Sequence, residues 1–173
     1  SAGVNTIDRF AETANDTNHF RSGFVSIRGV VTFNDRVAGK DFLFVQNDAA
    51  GFFISQNHHR FDQLQVGQWV EVGGALLPGG STPNLNPVVA TVLGRRPIPK
   101  PMTQPVEIPV VASRNGQWTE LEGVVHAINA DGTLRLAGRR GNVSVWVGQL
   151  ATDALVRYVD AKLRVKGVLS IET

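Results

Sequence analysis

Phe42, Phe44, Phe52 and Phe53 lie close together and are the side chains best suited to recognition in this chain. In an extended segment, alternation puts Phe42 and Phe44 on one face and Leu43 and Val45 on the other. Both faces are then apolar, and only one of them can be protein core. The other needs a cover, and the candidates are an N-terminal helix, a second domain or a ligand. Aromatic rings on an outer sheet face stack on planar groups, nucleobases among them. The basic residues around this face are Arg28, Arg36, Lys40 and Arg60. Asp35, Asp41, Asp48 and Asp62 balance them, so the local field is close to neutral.

Signatures of bond-making chemistry are absent. The chain has no Walker-type phosphate loop, no dinucleotide fingerprint after a strand, no Gly-x-Ser-x-Gly elbow and no His-Glu-x-x-His. His58 and His59 are adjacent, and adjacent residues do not share a helix face, so a single zinc ion is poorly served by them. They read as a polar helix N-terminus at the surface, and His19 and His126 stand alone. Asp35, Asp41 and Asp48 fall in turns, which select aspartate without any need for calcium. The chain contains no cysteine, which excludes disulfides, thiolate metal sites and cysteine nucleophiles. No catalytic residue, metal site or cofactor is therefore assigned, and the chain reads as non-enzymatic.

At 173 residues with 42% apolar and 18% charged residues, the chain can build a core. No apolar run is long enough to cross a bilayer. The net charge is +2, and the basic pairs Arg95-Arg96 and Arg139-Arg140 are local rather than a stripe, unlike a dedicated nucleic-acid binder. The start at Ser1-Ala2-Gly3 and the end at Ser170-Ile171-Glu172-Thr173 suggest a piece of a longer protein.

The elements that must position these residues are organised by a repeat. Phe24-Val25-Ser26-Ile27-Arg28-Gly29-Val30-Val31 aligns with Trp118-Thr119-Glu120-Leu121-Glu122-Gly123-Val124-Val125 at an offset of 94 residues. Trp69-Val70-Glu71-Val72-Gly73-Gly74-Ala75-Leu76 aligns with Lys162-Leu163-Arg164-Val165-Lys166-Gly167-Val168-Leu169 at an offset of 93. Two copies of one unit follow, 24–95 and 116–173. Between them, 96–115 forms a linker containing Pro97, Pro99, Pro101, Pro105 and Pro109, which reads as a semi-rigid spacer.

In copy one, period-two alternation and turn residues give strands over Phe24–Val31, Phe42–Gln46, Phe52–Ser55, Gln68–Leu77 and Val88–Leu93. A short helix is expected over His59–Gln65, where Phe61 and Leu64 have helical spacing. Copy two repeats this with strands Gln117–Ile128, Thr133–Ala137, Val143–Val147 and Ala161–Leu169, and a helix over Thr152–Val159. No fifth strand follows in copy two. The segment 1–23 carries a further short helix over Thr6–Ala14, with Ile7, Phe10, Ala11 and Ala14 on one face. Five short strands with one helix between the third and fourth is the order of the OB barrel. The fold expected is all-β: two tandem OB-like five-stranded barrels, the second lacking its last strand, with a short N-terminal helix.

The phrases Ile27-Arg28-Gly29-Val30-Val31-Thr32, Leu43-Phe44-Val45-Gln46-Asn47-Asp48, Gly51-Phe52-Phe53-Ile54 and Val66-Gly67-Gln68-Trp69-Val70-Glu71-Val72-Gly73-Gly74 are similar to bacterial extracytoplasmic OB-like domains. With Gln117-Trp118-Thr119-Glu120-Leu121-Glu122-Gly123-Val124-Val125, the chain resembles the tandem OB-like region ahead of the membrane span in some bacterial sensor histidine kinases. That resemblance implies a periplasmic sensing or interaction domain of a two-component signalling protein. The membrane anchor and kinase core would then lie elsewhere in the longer protein, and the ligand or protein partner is unknown. It brings no ligand-binding residues with it. The alternative is a single-stranded nucleic-acid binder using the phenylalanine face.

Scarcity of unbalanced Lys and Arg decides between these readings, because backbone affinity depends on neutralised phosphates. A labelled single-stranded oligonucleotide should show no saturable binding in the low micromolar range at physiological salt. Saturable, salt-sensitive binding lost on Phe42→Ala, Phe44→Ala or Phe52→Ala in a folded variant would reverse the choice.

Overall fold

The computed structural model describes residues 23–37, 39–56, 61–77, 82–105, 115–138, 141–148 and 152–170. The helix expected over Thr6–Ala14 falls outside these residues, as do His19, His58 and His59. Strands dominate the chain, and two sheets divide it.

The first sheet holds β1 (Phe24–Val37), β2 (Lys40–Gln46), β3 (Gly51–Ile54), β4 (Gln68–Leu77) and β5 (Asn84–Arg95). It closes into a barrel in the order β1-β2-β3-β5-β4. The long β1 serves two neighbours: Phe24–Val30 pairs with β4, and Val30–Val37 pairs with β2. Strand β5 runs parallel to β3 and antiparallel to β4. Alternation turns Ile27, Val31, Leu43, Val45, Phe52, Ile54, Val70, Val72 and Leu85 inward, and these form the core. Each buried side chain of this kind contributes about 1.5–3 kcal/mol of transfer free energy.

The helix expected over His59–Gln65 does not appear where the structure describes that stretch. Residues 61–67 are turns, in which the Leu64 amide donates to the Phe61 carbonyl. Phe61 and Leu64 are nevertheless buried and close one end of the barrel. A turn presents residues three apart on one side just as a helix does, so the spacing fitted both. The backbone groups that a helix would satisfy internally are met by side chains. Asn34 Nδ2 donates to the Phe61 and Leu64 carbonyls, and Gln56 Oε1 accepts from the Phe61 amide.

The second sheet holds β6 (Met102–Pro105), β7 (Trp118–Ile128), β8 (Thr133–Ala137), β9 (Asn142–Trp146) and β10 (Lys162–Val168). A single helix, α1 (Thr152–Val156), lies between β9 and β10, and turns at 157–160 occupy the rest of the span expected to be helical. The strand order is β10-β7-β8-β9, with β6 parallel to the first half of β7. Part of the proline-rich connector is thus a strand of this sheet. Val124 pairs with Lys162 as Val30 pairs with Trp69, so the register reproduces the sequence repeat. Two tandem barrels are not shown: only the first sheet closes, and among the described residues no strand joins β9 to β10, where copy two was expected to lack its fifth strand. Its core comprises Leu121, Val125, Leu134, Leu136 and Leu155.

The outer face of β7 and β10 carries a ladder of opposite charges. Glu122 meets Lys162 and Arg164, and Glu120 meets Arg164 and Lys166. Hydrogen bonds from Lys162, then Arg164, hold the exposed Glu122 carboxyl below the usual carboxylate range.

Glycines repeat where the chain crosses itself. A Cβ at Gly29 would lie 2.7 Å from the Gln46 carbonyl oxygen, and one at Gly123 would lie 2.7 Å from that of Ala137. Both copies use the missing side chain to fold the long first strand against the end of the second. A separate close approach joins the two units, where a Cβ at Gly51 would overlap the Gly116 carbonyl. Nearby, the Trp118 amide donates to Gln46 Oε1 at 2.7 Å. Gly51→Ala should therefore strain the junction and lower stability by about 1–3 kcal/mol, the usual cost of overpacking. Urea denaturation of the purified variant measures it, and an unchanged midpoint would show that the two backbones do not meet there.

An aromatic face on the first barrel as candidate functional site

Strands β1, β2 and β3 lie side by side, and their outward positions bring four rings together. Phe33 stands opposite Phe44, and Phe44 stands opposite Phe53. Phe42 follows on the same face of β2. Ring centroids are 5.5 Å apart for Phe44–Phe53, 5.9 Å for Phe42–Phe53, 6.4 Å for Phe42–Phe44 and 6.5 Å for Phe33–Phe44. These are separations at which aromatic pairs attract beyond simple area burial. Phe44 sits at the centre and is only 4% exposed, whereas Phe33, Phe42 and Phe53 are half-buried around it.

Of the four phenylalanines singled out in the sequence, three share this face. Phe52 does not: it is 1% exposed and belongs to the barrel core. Alternation along β3 requires this, since Phe52 and Phe53 are neighbours and point oppositely. Phe33 is the member that sequence reasoning missed. Continuing the alternation from Ile27 and Val31 would send Phe33 inward. A register shift between Val31 and Phe33 resets the phase. Thr32 is left in the irregularity, buried, with its hydroxyl donating to the Phe44 carbonyl.

Polar groups edge the face. Asn84, at the start of β5, pairs with Phe53 and so shares its side of the sheet. Its Oδ1 is buried without a hydrogen-bond partner, a state that costs about 1–3 kcal/mol when nothing compensates it. At the far end of β2, Gln46 is buried and accepts from the Trp118 amide, so the second unit covers that end of the row. Of the covers considered for this face, the other domain supplies this part, and the N-terminal segment lies outside the described residues.

The local charge is largely paired. Arg36 Nε lies 3.8 Å from Asp41 and also donates to the Gly39 carbonyl, and Arg28 Nε lies 3.0 Å from Glu71. Lys40 stands exposed at the turn between β1 and β2. The corresponding face of the second sheet is different in kind. There Thr133 pairs with Trp146, and Arg135 pairs with Ser144. Trp146 Nε1 is buried without a partner. No group of three or more His, Asp or Glu suited to a metal occurs among the described residues. No described helix is long and apolar enough to cross a membrane.

What the aromatic face can do chemically is bind: it offers apolar planar surface edged by largely paired charges. The chain matches no family model, no curated protein and no solved structure.

Core and face positions should respond differently to truncation. Phe52→Ala should cost about 3–5 kcal/mol, as a buried ring leaves a cavity. Phe42→Ala should cost less than half of that, because its ring is already partly in water. Equal losses in denaturant titrations would contradict the placement of the two rings.

Proposed function

We propose that this chain is a non-enzymatic recognition module, the sensing or interaction region of a bacterial extracytoplasmic signalling protein of the sensor histidine kinase type. Its ligand or partner surface is the face formed by Phe33, Phe42, Phe44 and Phe53. The observation that carries this reading is the cluster of four rings on the outer side of a closed barrel, with the unpaired Asn84 oxygen beside it. The strand order, with β3 parallel to β5, supports an OB-type barrel, and in such barrels the face of the second and third strands is where ligands bind. The resemblance in Ile27–Thr32, Leu43–Asp48 and Val66–Gly74 supports the extracytoplasmic setting.

Single-stranded nucleic acid is the second reading, because the same rings could stack on bases. The pairing of Arg28 with Glu71 and of Arg36 with Asp41 weighs against it. Phosphate contacts supply most non-specific affinity, and among the described residues Arg28 and Arg36, though exposed, each face a carboxylate.

The test uses the intact parent protein. A Phe42→Ser, Phe53→Ser double variant that still folds should change the signalling output, read as autophosphorylation in membrane preparations. Unchanged output would remove the face from the function. A parent gene encoding neither a membrane span nor a signalling domain would remove the proposed setting.

A further inference from the structure

Among the described residues, the second sheet lacks a counterpart of the strand that closes the first. In the barrel, β5 fills the space between β3 and β4, and Val70 and Val72 of β4 pair with Val92 and Ala90 of β5. Val70 and Val72 are then fully buried, as is Ile54 of β3, with Phe52 at 1% exposure. The repeat places Leu163 and Val165 of β10 where Val70 and Val72 stand in β4. Pairing of Leu136 with Val143 mirrors that of Val45 with Phe52, so Val143 and Val145 of β9 stand where Phe52 and Ile54 do in β3. Yet Leu163, Val165, Val143 and Val145 are all only partly buried. Leu121, Val125, Leu134 and Leu136, on the two strands that already have neighbours on both sides, are buried. On β9 and β10, which border the vacant position, every inward residue of the core is only partly buried, whereas on β7 and β8 only the terminal Ile128 is.

We propose that β9 and β10 accept a fifth strand from a partner polypeptide, an extended segment with apolar residues at alternate positions and acidic residues between them. Strand addition of this kind takes its affinity from main-chain hydrogen bonds and its selectivity from the alternate side chains. By analogy with β5, the segment runs parallel to β9 and antiparallel to β10. Its apolar residues cover Leu163, Val165, Val143 and Val145. Charge decides the other positions. The outer face of β10 presents Lys162, Arg164 and Lys166, while β7 opposes them with Glu120 and Glu122, leaving one positive charge in excess. Outward carboxylates on an incoming strand would sit beside these cations, as cross-strand pairs of opposite charge do. This inference does not depend on the aromatic face, which lies on the other sheet.

Hydrogen exchange on the full 173-residue chain tests it, with a ten-residue peptide of alternating valine and glutamate as the probe and an alternating valine–lysine peptide as control. Without peptide, amides of β9 and β10 should exchange faster than those of β3 and β4. The valine–glutamate peptide should slow β9 and β10 selectively, the lysine peptide should do so weakly or not at all, and the effect should diminish in a Lys162→Gln, Lys166→Gln variant. Three results would overturn the proposal. The first is β9 and β10 already protected like β3 and β4 in the chain alone, which means the position is filled from within. The second is concentration-dependent self-association that accounts for their protection, which means a second copy fills it. The third is no selective slowing by the valine–glutamate peptide.

Discussion

Strand β5 is hydrogen-bonded along both edges, to β3 on one side and to β4 on the other, and the first unit depends on this double pairing. An open sheet exposes unpaired N–H and C=O groups at its edges and leaves its inner face partly wet. Closing it removes the edges and at the same time seals the core, which is why side chains from every strand reach near-zero exposure around Phe52 and Ile54. The second unit has the same first four strands in the same register and lacks only this closure. Its inner residues on β9 and β10 remain partly in contact with water as a direct consequence. The molecule thus contains its own comparison between a closed and an open form of one design.

Closure also fixes the outer face. Once Leu43, Val45 and Phe52 point inward, Phe42, Phe44 and Phe53 have no choice but to point outward, because side chains alternate along a strand. The barrel's curvature brings them together with Phe33. Such a cluster satisfies part of its own hydrophobic demand by ring-to-ring contact, with Phe44 shielded by its neighbours. It remains the largest apolar feature on β1–β3 that the barrel core does not use. The binding role proposed for this face rests on the chemistry of the rings, not on any acid, base or nucleophile.

The two units meet through a close approach of their backbones. Gly51 and Gly116 approach so closely that neither could carry a side chain without movement, and Gln46 reaches across to the Trp118 amide. The same Gln46 continues the row of Phe42 and Phe44 along β2. The junction therefore borders the aromatic face, and a change at one is placed to be felt at the other.

The sequence by itself determined the repeat, the all-β character, most strand positions and the proximity of Phe42, Phe44 and Phe53. Each of these follows from local periodicity or from matching residue types, which need no knowledge of what packs where. It singled out the spacing of Phe61 and Leu64 but assigned them to a helix: that spacing is common to a helix and a turn, and the bonds from Asn34 and Gln56 accompany the turn. The inward placement of Phe52 and the outward placement of Phe33 were decided by tertiary structure. Phe52 and Phe53 are adjacent, so alternation says that they diverge but not which one enters the core. The irregularity after Val31 shifts the phase of β1, and no residue type there announces it. The pairing of Met102–Pro105 with β7 was likewise hidden, because a proline-rich stretch reads as a spacer until a neighbouring edge is present to receive it. The missing fifth strand of copy two was legible in the sequence, but closure is a non-local property, set by a strand far along the chain meeting two others at once, and its effect on burial along β9 and β10 is visible only in three dimensions.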